Sequence, residues 1–180
     1  MIFLGFRATG KTTLATRIAR RLNLKYICTD ELIEQSLAMS ISRYVTEHGW
    51  NAFRKKEHEI ASSLKGTADA VIDCGGGIVE HEDVMIVLQT LGPIIWVDAN
   101  IDDMERRMQE DGTRPLLSET TLRHDIEINY ERRRHLYGHY ADIYINTSDY
   151  SIEECISRVE EQLRDRIRPG KPEEERPEKD

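Results

Sequence analysis

The segment from Gly5 to Thr12, GFRATGKT, has residue types and a spacing that could bind a phosphate group. It matches the pattern GxxxxGK[ST], in which successive backbone N–H groups and the start of the following helix form a concave donor array for phosphate. Lys11 would add positive charge near the β- and γ-phosphates of a nucleotide, and the Thr12 hydroxyl is a hard oxygen ligand of the kind that Mg²⁺ prefers. We therefore expect a nucleotide and Mg²⁺ here, with Thr12 as the metal ligand; the loop alone does not separate kinases from ATPases and GTPases. The residues expected to contact the nucleotide in this segment and directly after it are Gly5, Ala8, Thr9, Gly10, Lys11, Thr12 and Thr13.

The flanking segments favour phosphate binding over the alternative, a glycine-rich turn that fits the pattern by chance. The apolar run Ile2–Gly5 predicts a strand, and Lys11–Leu22 places Leu14, Ile18 and Leu22 on one helical face. A strand, a loop and a helix in this order are the setting that the phosphate-binding mechanism requires. A GTPase would need a guanine-reading segment such as NKxD, which the sequence lacks. A small-molecule or nucleotide kinase is the predicted class.

The composition of the 180-residue chain fits one cytoplasmic globular domain. Its formal net charge of −8 argues against a protein that binds duplex nucleic acid through a positive surface. The longest apolar runs, such as Val84–Leu88, are far shorter than the roughly 18 residues that a membrane span needs, and residues 1–5 lack the features of a secretory signal. The three cysteines form no CxxC pair, so neither a zinc site nor a disulfide framework is expected. We expect small molecules as partners, without nucleic acid or membrane.

The elements that must position these residues alternate between short apolar runs and longer helical patterns. Five runs predict buried strands: Ile2–Gly5, Tyr26–Thr29, Ala70–Cys74, Pro93–Asp98 and Asp142–Asn146. The predicted helices are Lys11–Leu22, Asp30–Leu37, Ile41–Glu47, Asn51–Leu64, Glu82–Thr90, Ile101–Met108, Leu122–Tyr137 and a last helix after Ser151, which has capping-box spacing with Glu154. This alternation predicts an α/β fold with a parallel sheet and helices on both faces, formed by residues 1–167. Residues 168–180 are rich in proline and charge and predict a disordered tail.

Further segments identify a family resemblance. They are YICTD at 26–30, FRKKE at 53–57, GGG at 75–77, GTRPLL at 112–117 and RRHLY at 133–137. In order and spacing, and together with the phosphate-binding loop, they resemble the shikimate kinase family over residues 1 to about 165. The resemblance implies a single kinase domain with a five-stranded parallel sheet of order 2-3-1-4-5, flanked by helices, and a mobile lid near Met108–Thr120. It also implies ATP-dependent phosphorylation of the 3-hydroxyl group of shikimate.

The resemblance assigns roles to residues on the acceptor side and on the nucleotide side. Asp30 would contact the substrate hydroxyls and orient the attacking one, and Arg54 and Arg133 would hold the substrate carboxylate. The backbone that would line the same pocket is that of Gly75, Gly76 and Gly77. In the lid, Arg114 would reach over the transferring phosphate, and Arg107 would pack on adenine. The residues implied to be catalytic are Lys11, Asp30 and Arg114.

These residue types suit the chemistry. Phosphoryl transfer needs positioning and charge neutralisation, so a lysine, a magnesium ion and an arginine around one γ-phosphate are expected parts. Arginine suits a carboxylate because its planar fork donates two parallel hydrogen bonds. A triple glycine lets the backbone approach a ligand closely.

Other interpretations of the same residues stay open at this point. Arg133 lies in the run Arg132–Arg134, with acidic residues one turn earlier, and this pattern is typical of an exposed, ion-paired helix face. Arg54 lies in an Arg-Lys-Lys run that also predicts a surface position. The glycines at 75–77 could form a plain loop, and Asp30 could cap the helix that follows it. Aromatic residues such as Tyr137 are more often packing residues than substrate platforms.

Two positions depart from the family pattern. Cys28 stands where the second strand usually carries the first carboxylate of an Asp-x-Asp pair, which helps to hold the water shell of Mg²⁺. Asp73 stands where a small or hydroxyl residue is usual before the triple glycine. In the implied strand order these two strands are neighbours, so Asp73 could supply the missing carboxylate; alternatively, it caps a loop or pairs with a cation. A kinase acting on quinate or gluconate, or a nucleotide-binding regulatory domain with weakened catalysis, remain alternative functions.

Overall fold

A computed structural model describes residues 1–111 and 121–167 of the chain, and the predicted five-stranded parallel sheet is confirmed. Its strands are β1 (Ile2–Leu4), β2 (Lys25–Cys28), β3 (Ala70–Asp73), β4 (Ile94–Asp98) and β5 (Ile143–Asn146). They lie in the order β2-β3-β1-β4-β5, and every neighbouring pair is parallel. Because their carboxyl ends meet at one edge, the loops after β1, β2 and β3 open at a common crevice.

Seven helices connect and cover the strands in the described residues. They are α1 (Lys11–Arg21), α2 (Thr29–Leu37), α3 (Ile41–Ser62), α4 (Glu82–Leu91), α5 (Ile101–Asp111), α6 (Leu122–Tyr140) and α7 (Ile152–Ile167), and a short 3₁₀ turn spans Ile78–Glu80. The capping box predicted before the last helix is present, since Ser151 N donates to Glu154 Oε2 at 2.9 Å. None of the helices in the described ranges is long and apolar enough to cross a bilayer.

The core lies on both faces of the sheet because side chains of each strand alternate between them. Phe3 packs with Leu14 and Ile18 of α1 and with Ile156 of α7 on one face. On the other face, Ile2 and Leu4 pack with residues of α4, α5 and α6, including Met85, Met104 and Tyr137. A smaller cluster of Ile33, Ile41, Val45 and Phe53 joins α2 to α3. The sheet edge that carries the loops is therefore supported from both sides.

Several predicted boundaries differ from the observed ones. Residues 41–62 were expected as two helices and form one assigned span, but Gly49, at φ 80° and ψ 166°, interrupts its helical geometry. The helix predicted to end at Met108 continues to Asp111, because no helix-breaking residue lies before Gly112. Met108–Asp111 were assigned to the lid, and the rest of the predicted lid lies outside the described residues. So does the predicted tail at 168–180.

Candidate active site

The loop between β1 and α1 is shaped by close backbone packing. A Cβ atom on Gly5 would lie 2.0 Å from the carbonyl oxygen of Val97, so no side chain fits there. Gly10 precedes α1 with a φ of 87°, a conformation that favours glycine. Ala8 also adopts a positive φ, of 62°, which costs an L-residue with a Cβ roughly 1 kcal/mol. The loop is thus a tight turn that leads directly into the start of a helix.

Side chains from distant segments fix this turn. Thr147, just after β5, donates from Oγ1 to the carbonyl of Thr9 at 2.8 Å. Arg107 of α5 donates from Nη1 to the carbonyl of Ala8 at 3.1 Å and to Thr147 Oγ1 at 3.0 Å. Lys11 is largely buried, and its Nζ donates to the carbonyl of Phe6 at 3.1 Å. The loop therefore has a defined shape held by three polar side chains.

The loop forms the floor of a cavity of about 360 Å³, which we call the loop cavity. Its lining includes Arg7, Ala8, Gly10, Lys11, Thr12, Thr13, Cys28, Asp30, Asp73, Gly76 and Arg107. Most of the residues expected to contact a nucleotide are thus brought together. Gly5 and Thr9 are not in this lining; Gly5 packs against β4, and Thr9 donates from Oγ1 to the carbonyl of Phe6 at 2.9 Å.

Two hydroxyl groups converge on Asp73 at the end of β3. Thr12 Oγ1 donates to Asp73 Oδ2 at 2.7 Å, and the Tyr26 hydroxyl donates to the same oxygen at 3.1 Å. In the part of the chain that the structure describes, no group of three or more His, Cys, Asp or Glu side chains could hold a metal ion by itself. The Thr12 hydroxyl and the Asp73 carboxylate nevertheless fit Mg²⁺, which binds oxygen and takes most of its ligands from phosphate and water.

A second, smaller cavity adjoins the first, and we call it the arginine pocket. Arg54 of α3 and Arg133 of α6 line it together with Ile41, Trp50, Phe53 and Glu57. The triple glycine forms another part of its wall: Gly75, Gly76 and Gly77. Arg7, Asp30 and Gly76 line both cavities. The structure therefore joins a phosphate-binding loop to a pocket that contains two arginines.

Side chains of the arginine pocket pack directly on the backbone of the triple glycine. A Cβ on Gly77 would lie 1.8 Å from Nη1 of Arg54, and a Cβ on Gly75 would lie 2.6 Å from Oε1 of Glu57. The hydroxyl of Tyr137, a fully buried residue, donates to the carbonyl of Gly76 at 2.5 Å. The absence of side chains lets the arginine and the carboxylates approach the backbone.

Carboxylates hold the two arginines of the pocket in place. Arg54 forms an ion pair with Glu57, which lies one turn later on α3 and whose side chain is 1% exposed. Burial raises the pKa of Glu57, and the neighbouring Arg54 acts in the opposite direction. Arg133 donates from Nε to Glu80 Oε2 at 3.0 Å, and its Nη2 forms an ion pair with the same oxygen at 2.8 Å. Both guanidinium groups are therefore fixed before any ligand binds.

Comparison with known proteins identifies the family to which this arrangement belongs. Residues 7–164 match the family model for shikimate kinase. The chain belongs to the shikimate kinase family. A shikimate kinase of Chromobacterium violaceum is 32% identical over 161 residues, which cover 89% of this chain and 88% of the relative. The family places the chain among phosphotransferases that use ATP and an alcohol group as acceptor.

Solved structures of shikimate kinases have the same fold. The enzyme from Bacteroides thetaiotaomicron superposes with a TM-score of 0.79 at 28% identity, over 91% of this chain and 97% of that one. The Acinetobacter baumannii enzyme, solved in complex with shikimate, gives a TM-score of 0.84 at 21% identity, over 92% of this chain and 93% of that one. The implied α/β architecture and strand order therefore agree with those of the family.

The environment of Arg133 decides between the two interpretations of the arginine run in this shikimate kinase family member. Its side chain is 4% exposed, whereas those of Arg132 and Arg134 are 56% and 58% exposed. Arg133 lies on the same face of α6 as Tyr130 and Tyr137, which pack on the sheet. The exposed-face interpretation is therefore right for its two neighbours and wrong for Arg133.

Two other interpretations can also be decided, and one site residue cannot be placed. Asp30 lies within the first turn of α2, whose N-cap is Cys28, so Asp30 is not the cap. Arg54 is mostly buried against the glycines, with 21% of its side chain exposed, and does not lie on a free surface. Arg114 lies outside the described residues.

Three site residues were not singled out in the sequence. Arg7 of the loop, which lines both cavities, forms an ion pair with the fully buried Asp125 of α6. Glu80, the partner of Arg133, follows the triple glycine by three positions. Arg7 is a variable position within the loop pattern, and Asp125 and Glu80 lie in ordinary polar stretches. Only their partners across the fold distinguish them.

Proposed function

We propose that this chain transfers the γ-phosphoryl group of ATP, bound with Mg²⁺, to the 3-hydroxyl group of shikimate. The observation that carries the proposal is the junction of the two cavities. The loop cavity and the arginine pocket share Arg7, Asp30 and Gly76, so a phosphate on one side and an acceptor on the other would meet at these residues.

The arginine pocket suits a small hydroxylated acid. Arg54 and Arg133 can each donate more than one hydrogen bond to a carboxylate, and their positions are set by Glu57 and Glu80. Trp50 and Phe53 add apolar surface on one side of the pocket, where a carbon ring can pack. We infer that Arg54 and Arg133 bind the carboxylate of shikimate, with the backbone of Gly75, Gly76 and Gly77 lining the same pocket.

Asp30 is proposed to act at the junction. It borders both cavities, and the position of a Cβ on Gly75 would lie 2.9 Å from its Oδ1. A carboxylate there can accept a hydrogen bond from the attacking hydroxyl, orient it toward the γ-phosphorus and take up its proton as the new ester bond forms, while the bond from the γ-phosphorus to the β–γ bridging oxygen breaks and ADP leaves. This assignment explains why the first turn of α2 carries an acid next to the phosphate-binding loop.

The nucleotide side would neutralise the charge on the transferring group. Lys11 lines the loop cavity and is proposed to contact the β- and γ-phosphates, with the backbone of residues 8–13 around them. Thr12 is proposed to hold Mg²⁺, which when bound neutralises charge on the phosphate oxygens. Arg107, fixed beside the loop, would pack against adenine, and Arg114 would approach the γ-phosphate from its own segment.

The test is ADP release measured with shikimate, quinate and gluconate as separate acceptors. We expect release that depends on shikimate and a product whose phosphate is on the 3-oxygen, as assigned by phosphorus and proton NMR. Release with quinate or gluconate in place of shikimate would redirect the proposal to another hydroxy acid. Nucleotide binding without turnover on any acceptor would support a regulatory domain instead.

A further inference from the structure

We infer that Asp73 is a metal-positioning residue that acts through Thr12 and supplies the carboxylate that Cys28 lacks. The inference rests on the part of the proposed function that places nucleotide and Mg²⁺ at the loop, and it does not depend on the acceptor.

The first support is the hydrogen bond from Thr12 Oγ1 to Asp73 Oδ2, at 2.7 Å. A hydroxyl group has one proton and two lone pairs. When Asp73 accepts the hydrogen bond from the Thr12 hydroxyl, the lone pairs of Thr12 Oγ1 are left for a cation. The nearby negative charge of Asp73 also makes Oγ1 a stronger lone-pair donor to that cation. Asp73 is 3% exposed, so the carboxylate cannot turn away freely into solvent.

The second support is that the two carboxylate oxygens of Asp73 differ in their hydrogen bonds. The hydroxyls of Thr12 and Tyr26 both donate to Oδ2. Within the described ranges, no donor is bonded to Oδ1. Asp73 lines the loop cavity, so Oδ1 is the atom that would accept a hydrogen bond from a water molecule on the metal ion.

The third support is the register of the sheet. Cys28 of β2 is the direct partner of Asp73 of β3, and neighbouring strands lie about 4.8 Å apart. Burial raises the pKa of the Cys28 thiol, so it is neutral at neutral pH and a poor partner for a hard cation or its waters. A carboxylate missing from one strand is thus present at the same level on the next.

Tyr26 keeps this carboxylate in position from the side of β2. It lies two residues before Cys28, so both side chains are on the same face of the strand. Burial raises the pKa of the Tyr26 hydroxyl, which therefore stays protonated and donates its hydrogen bond at 3.1 Å. Asp73 is held between two donors and has little freedom to move.

The experiment measures ADP affinity by calorimetry at increasing Mg²⁺ concentrations and in EDTA, so no turnover is needed. We expect Asp73→Asn to raise the Mg²⁺ concentration for half-maximal enhancement of ADP binding by about 10-fold, the size typical of an outer-shell metal partner. ADP affinity in EDTA should stay unchanged. Adding Cys28→Asp to this variant should recover most of the loss.

Asp98→Asn is the matched control. Asp98 also ends a strand, is buried and accepts hydrogen bonds from two tyrosines, at 2.8 Å from Tyr130 and 3.3 Å from Tyr144, but it does not line the loop cavity. Asp98→Asn should leave the Mg²⁺ dependence of ADP binding unaltered.

Tyr26→Phe is a milder second variant and should shift the Mg²⁺ dependence in the same direction as Asp73→Asn. If the variants that fold, as judged by thermal unfolding, keep the wild-type Mg²⁺ dependence, the inference is wrong, whatever the acceptor turns out to be.

Discussion

Glu80 holds Arg133 by the Nε and Nη2 edge of its guanidinium group: Nε donates a hydrogen bond to Oε2, and Nη2 forms an ion pair with the same oxygen at 2.8 Å. Within residues 1–111 and 121–167, Nη1 of Arg133 has no hydrogen bond, so this group can bind a ligand in the arginine pocket. The carboxylate is a positioning partner, and it also offsets one positive charge in a pocket that holds Arg7 and Arg54 as well.

Replacement of Glu80 by Gln should weaken acceptor binding without affecting the nucleotide. The loss of a charged partner would let Arg133 adopt other rotamers, and we expect KM for shikimate to rise about 5-fold, which corresponds to roughly 1 kcal/mol. KM for ATP should not change. Glu82→Gln, at an exposed position on α4, is the control. A fall in KM for shikimate would show that Glu80 competes with the substrate instead of positioning Arg133.

Replacement of Arg54 or Arg133 by Ala should raise KM for shikimate strongly. A hydrogen bond to a charged group contributes roughly 1.5–3 kcal/mol, so an increase of about 10- to 150-fold is expected. The KM for ATP should barely change, and Arg134→Ala, at an exposed position on the same helix, should leave both constants alone. Equal losses for ATP and shikimate would mean that these arginines are structural. Steady-state kinetics with each substrate varied in turn distinguishes the outcomes.

Replacement of Lys11 by Ala should impair turnover with every acceptor. Its ammonium group is proposed to contact the transferring phosphate, and loss of one such charged group costs on the order of 100-fold in kcat. Lys65→Ala, in an exposed turn, is the matched control. A Lys11→Ala enzyme with normal kcat would rule out the proposed role of the loop in phosphoryl transfer.

Replacement of Gly77 by Ala should weaken binding of the acceptor without lowering the stability of the fold. The new Cβ would lie 1.8 Å from Nη1 of Arg54, and because that atom is the end of a flexible side chain, the arginine would move and the backbone would stay. We expect KM for shikimate to rise toward the Arg54→Ala value, with little change in melting temperature. Gly138→Ala is the comparison: its Cβ would meet only Trp96 at 3.6 Å, within a helix, and should stabilise the protein by about 0.5–1 kcal/mol. A large loss of stability in Gly77→Ala would show that the backbone moves instead of the Arg54 side chain, contrary to this prediction.

The sequence alone determined the parts of this site that are formed by residues close together in the chain. The segment from Gly5 to Thr12, with a strand before it and a helix after it, could be recognised because turn, charge and hydroxyl lie within one short pattern. The strands could be located because each is a short apolar run between polar residues, and no strand end was misplaced by more than one residue. Their order came from the resemblance to a family, since runs buried on both faces do not identify their neighbours.

Only the tertiary structure decided which polar side chains leave the surface. Arg132, Arg133 and Arg134 look equivalent in the sequence, and the packing of α6 on the sheet buries only Arg133 and places it beside Glu80, 53 residues away. Thr12 and Asp73 are 61 residues apart, and they meet because β3 lies next to β1. The physical reason is that the charge, burial and hydrogen bonding of such a side chain depend on the partner that the fold brings to it, and helical or strand periodicity contains no information about that partner.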